Sequence, residues 1–90
     1  MIDIKKVHNE TIYAISENPA WRVGQSLFNT IYSLYPDYGN RIRGTVIDPY
    51  HKTIMIKDLN RAVIDIDTFL DESNMERKWI TFARTVKKYE

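Results

Sequence analysis

The chain contains no cysteine among its 90 residues. This absence excludes disulfide bonds, a thiolate nucleophile and every cysteine-based zinc or iron–sulfur site, so the fold must be stabilised by side-chain packing. Glycine and proline are scarce, with three of each, and no tract rich in glycine, proline and serine interrupts the chain. We therefore predict a single domain over residues 1–90.

Long apolar segments and a large net charge are also absent. Nowhere do the roughly 18 consecutive apolar residues of a membrane-spanning helix occur, and the first residues, MIDIKKVHNE, lack the apolar core of a secretion signal. We therefore expect a cytoplasmic protein with no membrane contact. The net charge of +1 provides little long-range attraction for polyanions, which argues against a protein that coats nucleic acid without sequence preference.

The apolar residues recur at the three- and four-residue spacing of helices. Three stripes predict three helices, formed by Val23, Leu27, Phe28, Ile31, Leu34 and Tyr35, by Leu59, Ala62, Val63, Ile66 and Leu70, and by Met75, Trp79, Phe82, Ala83 and Val86. We expect Asn18 and Pro19 to begin the first helix and Pro36 to end it. The second is expected over residues 57–71, and a capping box at Ser73-Asn74-Met75-Glu76 is expected to begin the third.

Three other segments leave alternatives open. Residues 4–16 favour a helix, although residues 12–15 also suit a short strand. Residues 37–43 suit either a turn or a short helix that stops at Gly44. The β-prone runs 45–47 and 53–56 predict either a hairpin or a loop that leads into the next helix. The predicted fold is therefore mainly α, with three to four short helices around one core and a small β-hairpin near residues 45–56 as an optional addition.

No pattern in the sequence indicates a catalytic site or a metal site. His8 and His51 belong to no metal-spaced pair and are expected to be solvated. Asp65, Asp67 and Asp71 could be imagined as cation ligands, but Asp65 and Asp67 would point about 160° apart on a helix, so a solvated acidic face is expected. We therefore predict a protein that is not an enzyme and that needs no metal or cofactor.

Arginine and aromatic side chains point instead to binding. Arg41 and Arg43 lie one residue apart beside a chain reversal and could bind a phosphate or a partner's carboxylate bidentately; the alternative is that one of them pairs with Asp48 or caps a helix end. Tyrosine and tryptophan, which anchor many protein interfaces together with arginine, exceed the needs of so small a core. They are Tyr13, Trp21, Tyr32, Tyr35, Tyr38, Tyr50, Trp79 and Tyr89.

A spaced pattern joins four segments of the chain: PAWRVGQSLFN over residues 19–29, Pro36, IRGT over residues 42–45 and DPY over residues 48–50. Together they resemble a group of short uncharacterised proteins encoded by tailed bacteriophages, whereas residues 1–18 and those after Tyr50 lie outside the resemblance. The resemblance supplies no established activity. Small phage proteins often bind and block host machinery, so it implies an accessory protein that acts in the host bacterial cytoplasm, in host takeover or against host defence.

The positions that match the phage pattern are Arg22, Gly24, Gln25, Phe28, Asn29, Arg43, Gly44, Thr45, Asp48 and Pro49. Gly24 would let another backbone approach closely. Arg22, Gln25 and Asn29 share one helix face, from which they either recognise a ligand or hold the loop from Arg43 to Asp48 by hydrogen bonds; the second role is favoured.

The predicted function is non-catalytic binding of a host protein. The predicted binding residues are Arg22, Gln25, Asn29, Arg41, Arg43, Asp48 and Tyr50. The alternative is a small nucleic-acid-binding regulator that uses the basic residues Arg77, Lys78, Arg84, Lys87 and Lys88. The abundance of aromatic residues also makes a homodimer credible.

Overall fold

The computed structural model describes residues 2–86, with side chains described for residues 2–72. Four α-helices, α1 (Ile4–Glu17), α2 (Val23–Leu34), α3 (Pro36–Ile42) and α4 (Leu59–Val86), are joined by loops, and a single 3₁₀ turn, Ile56–Asp58, precedes α4. Residues 2–86 contain no strand. The prediction of a mainly α fold is therefore confirmed, and residues 4–16 form a helix rather than including a strand.

The core lies where the apolar faces of the helices meet. α1 and α3 each pack against both α2 and α4. The core side chains include Val7 from α1, Leu27 and Ile31 from α2, Ile42 from α3, and Leu59, Val63, Ile66 and Leu70 from α4. All of these are at most 3% exposed, and burying each one stabilises the fold by roughly 1.5–3 kcal/mol before entropy costs. The stripe that predicted a helix near residues 57–71 is thus the core-facing side of α4.

The predicted start, at Asn18 and Pro19, of the helix that contains Val23 to Leu34 is wrong. Asn18 instead ends α1, where its backbone N–H and its Nδ2 both donate to the carbonyl oxygen of Ala14, at 2.9 and 3.1 Å. Pro19 follows and cannot continue the helix. α2 begins at Val23 after Arg22, whose side chain makes no capping hydrogen bond.

The hairpin alternative for residues 45–56 is also not realised. The connecting loop, residues 43–55, is made of successive turns, with Asp48 N–H donating to Thr45 and Lys52 N–H donating to Pro49. Asp48 receives two further backbone N–H groups through its side chain, so local bonds replace cross-strand ones. The short-helix alternative for residues 37–43 holds, since α3 ends at Ile42 and Gly44 adopts a left-handed φ of 75°.

The predicted helix boundary at Ser73 is wrong as well. α4 runs without interruption from Leu59 to Val86, because neither glycine nor proline lies between Leu70 and Met75 to stop it. The capping bonds predicted for Ser73 and Glu76 and the apolar stripe from Met75 to Val86 lie outside the residues whose side chains are described.

Candidate functional site

The connecting loop is seated on α2 through a glycine. A Cβ atom built on Gly24 would lie 2.1 Å from the carbonyl oxygen of Pro49 and 2.8 Å from that of Lys52. Real Cβ atoms do not approach oxygen so closely, so only glycine allows this loop backbone to lie against the first turn of α2. The close backbone approach predicted for Gly24 is therefore confirmed, and it holds the middle of the loop at a fixed position.

Tyr50 makes the main side-chain attachment of the loop. Arg22 donates from Nη2 to the backbone oxygen of Tyr50 at 2.7 Å, and Gln25 donates from Nε2 to its hydroxyl at 3.4 Å. The Tyr50 ring packs edge-on against Phe28 at 5.8 Å between centroids. Arg22 and Gln25 thus make the loop-holding contacts favoured by their spacing, two residues beyond the predicted end of the held segment at Asp48.

Asp48 organises the loop from within. Its Oδ2 accepts from the backbone N–H of Gly44 at 2.7 Å, and its Oδ1 accepts from that of Tyr50 at 2.9 Å. Neither Arg41 nor Arg43 forms an ion pair with it. The structure therefore gives Asp48 a structural contact in place of the arginine partnership that was one interpretation of the sequence.

Arg41 and Arg43 contact different elements, although one residue separates them. Arg41 donates to the backbone oxygen of Leu70 in α4 at 3.2 Å, with its guanidinium 5.8 Å from the Tyr38 ring centroid. Arg43 lies over rings of α2, 5.5 Å from Phe28 and 5.1 Å from Tyr32. The two guanidinium groups are thus not arranged as the joint anion grip that their spacing suggested.

Arg43 is the more available of these two arginines. Its side chain is exposed, and its guanidinium has no hydrogen-bond or ion-pair partner among residues 2–72. Stacking on two rings nevertheless fixes its position. Its N–H donors are therefore presented to solvent from a defined place, which lowers the entropy cost of engaging a partner's acceptor.

Asn29 lies apart from Arg22 and Gln25. It lines a groove between α1 and α2 together with Tyr13 and Trp21. The predicted binding residues therefore fall into separate groups: most surround the connecting loop, Arg41 joins α3 to α4, and Asn29 belongs to the groove.

Sequence reasoning missed an apolar surface on the connecting loop. Val46 is 82% exposed, Met55 59% and Ile56 54%. Met55 also lines a groove of about 470 Å³, together with Ile47 and Ile54 of the loop and Ala62 and Ile66 of α4. We call these exposed side chains and the groove the loop surface. The signal in the sequence was the apolar content of the β-prone runs 45–47 and 53–56. The hairpin interpretation paired these runs as strands and so did not indicate an exposed surface.

The candidate ionisable residues are dispersed. Asp67 accepts from the backbone N–H of Ile2 at 3.1 Å, and Asp65 pairs with Arg61 at 3.5 Å on the exposed side of α4. His51 packs against the Tyr50 ring. Among the described residues, no group of three or more histidine, aspartate or glutamate side chains is placed to hold a metal ion.

In the described part of the chain, no helix combines the length and apolar character needed to cross a membrane. The basic residues Arg77, Lys78, Arg84, Lys87 and Lys88 lie outside the residues with described side chains. Comparison of the chain with protein families, with curated proteins and with solved structures finds no match.

Proposed function

We propose that this chain is a non-catalytic accessory protein that binds a partner protein through the loop surface, and that the partner is a host protein, as the bacteriophage resemblance implies. The observation that carries the proposal is the exposure of Val46 and Met55 in the connecting loop and of Ile56 directly after it. Met55 also lines a mainly apolar groove, and exposed apolar side chains with such a groove are a common mark of a protein-binding surface.

The way the loop is held supports this proposal. Gly24 seats its backbone on α2, Arg22 and Gln25 hold Tyr50, and Asp48 closes its turns. A loop fixed in this way loses little conformational freedom when a partner covers it, so the buried apolar area is available for affinity.

The positive charge of Arg43, at the start of the connecting loop, favours a particular kind of partner. Arg43 is exposed and stacked on Phe28 and Tyr32. An exposed arginine at the start of a loop that carries apolar side chains favours a partner that presents both apolar side chains and a carboxylate.

Site-specific crosslinking tests this function. A photoreactive residue is placed at Val46 or at Met55, with Thr68 on the exposed side of α4 as the matched control position, and each variant is exposed to bacterial lysate. We expect the same protein to be crosslinked from both loop positions and not from residue 68. The purified partner should then bind the Val46→Glu and Met55→Glu variants at least about tenfold more weakly, as removal of an interface hot spot does, and the Thr68→Glu variant normally.

Unchanged binding of both loop variants, or equal crosslinking from residue 68, would contradict the proposed surface. A pull-down that yields no stoichiometric partner from the host lysate would count against the function itself. Since Val46 and Met55 are exposed, their replacement should leave the fold intact, and a circular dichroism spectrum checks this.

A further inference from the structure

A second groove lies between α1 and α2, away from the loop surface. Its volume is about 310 Å³, at the lower end of the range for ligand pockets, and its lining includes Glu10 and Tyr13 of α1, Trp21, and Asn29, Thr30 and Ser33 of α2. No lysine, arginine or histidine lines it. The groove therefore combines aromatic rings with oxygen acceptors and carries only negative charge.

Neither Glu10, which lines the groove, nor the neighbouring Glu17 has a cationic partner within the described part of the chain. Glu10 is exposed and forms no ion pair there. Glu17, one turn along α1 from Tyr13, accepts a hydrogen bond from the Tyr13 hydroxyl at 3.4 Å. Two uncompensated carboxylates on either side of one ring make this end of the molecule attractive to a cation.

Thr30 adds a hydroxyl group to the lining of the groove. It lines the groove and is only 7% exposed, yet its hydroxyl makes no hydrogen bond to any of the residues 2–72. By contrast, the hydroxyl of Thr11, also buried on a helix, donates to the backbone oxygen of Val7 at 2.7 Å. Among residues 2–72, only the Ser26 hydroxyl is fully buried without a partner, so the Thr30 oxygen is open to the groove, where it can bond to a polar occupant.

We infer that this groove binds the guanidinium group of an arginine side chain presented by a partner protein. A guanidinium is planar and stacks on aromatic rings such as those of Tyr13 and Trp21. Its five N–H donors match acceptors of several kinds, which here are the Glu10 carboxylate, the Asn29 amide oxygen and the hydroxyls of Thr30 and Ser33. A lysine ammonium has three donors and no flat face, and it fits this set less well.

A different protein is a better source of that arginine than a second copy of the chain. Of the exposed arginines in the described range, Arg22 already bonds to Tyr50, Arg43 stacks on Phe28 and Tyr32, and Arg61 pairs with Asp65. Each would have to leave an internal contact to enter the groove of a neighbour.

Nuclear magnetic resonance of the whole chain tests this inference with three probes: the N-acetyl N-methylamides of arginine, of lysine and of citrulline, which is the neutral isostere of arginine. The readout is the indole N–H signal of Trp21, assigned by comparison with a Trp21→Phe variant. We expect saturable millimolar binding of the arginine probe, with at least threefold weaker binding of the other two.

Three variants test whether the arginine probe binds in this groove. Glu10→Gln and Thr30→Val should each weaken the arginine probe at least twofold, while Glu72→Gln on α4 should not. Since Thr30 is nearly buried, the Glu10→Gln variant keeps the test valid if Thr30→Val does not fold.

Several outcomes would overturn the inference. They are the absence of a saturable Trp21 shift, equal shifts with the arginine and citrulline probes, tighter binding of the lysine probe, or no effect of Glu10→Gln. A Trp21 shift that depends on protein concentration without any probe would assign the groove to a second copy and would equally overturn it. The inference does not depend on the proposed function, because Val46→Glu and Met55→Glu should leave the arginine shift unchanged.

Discussion

The guanidinium of Arg22 donates a hydrogen bond of 2.7 Å to the backbone oxygen of Tyr50, 28 residues further along the chain. This bond joins the residue just before α2 to the middle of the connecting loop. Because the loop has no strand partner in the structure, such contacts determine where its exposed apolar side chains stand.

Replacing Arg22 with alanine should destabilise the fold by about 1 kcal/mol, the usual net worth of one such hydrogen bond. Amide hydrogen exchange should be faster in the connecting loop while the core of α2 stays protected. The matched control is Arg61→Ala, which removes an exposed pair with Asp65 and should change stability by less than about 1 kcal/mol. Equal effects of the two substitutions would show that Arg22 does not hold the loop.

Replacing Gly24 with alanine should destabilise the fold by about 1–3 kcal/mol, because the added methyl group overlaps the backbone oxygens of Pro49 and Lys52. Denaturant unfolding measures this change. Ser33→Ala, on the exposed side of the same helix, is the control and should have almost no effect. An unaltered midpoint for the glycine variant would mean that the loop does not rest on α2.

Replacing Asp48 with alanine should cost about 1–3 kcal/mol, since it leaves the backbone N–H groups of Gly44 and Tyr50 without their acceptor. Asp48→Asn retains an oxygen acceptor and should lose less. Thermal unfolding of both variants checks the order. A larger loss in the asparagine variant than in the alanine variant would refute the contact.

Replacing Ser26 with alanine should leave stability unchanged or raise it by up to about 1 kcal/mol. Its hydroxyl is fully buried and has no hydrogen-bond partner in the described part of the chain, so removal relieves a desolvation cost. Thr11→Val is the contrasting variant, since it removes a buried hydroxyl that does bond, to Val7, and it should be destabilising. Chemical denaturation compares the two, and a destabilised alanine variant would indicate that the Ser26 hydroxyl is in fact satisfied.

The helices could be predicted because the spacing of their apolar residues indicates which face is buried. Leu59, Val63, Ile66 and Leu70 occupy the core as their pattern indicated. The boundaries were less predictable, because an asparagine such as Asn18 suits either end of a helix. The same holds for Ser73, whose capping pattern occurs inside a continuous helix.

The candidate sites were only partly predictable. Gly24 and Arg22 carried a usable signal, the first of a close backbone approach and the second of a loop-holding bond. The groove beside Trp21 depends on the angle at which α1 meets α2, which no local pattern encodes. The loop surface was hidden for another reason: runs such as residues 53–56 have strand-like composition, and tertiary contacts through Pro49 and Tyr50 decided against a ladder.

The pairing of Arg61 with Asp65 is the sole ion pair within residues 2–72, and both of its side chains are largely exposed. Within residues 2–72, added salt can therefore screen only this one exposed ion pair. Screening this pair with salt should therefore destabilise the fold by less than about 1 kcal/mol, whereas recognition that depends on Arg43 or Glu10 should weaken as the ionic strength rises. A simple salt series on the intact chain thus separates the energetics of folding from those of recognition.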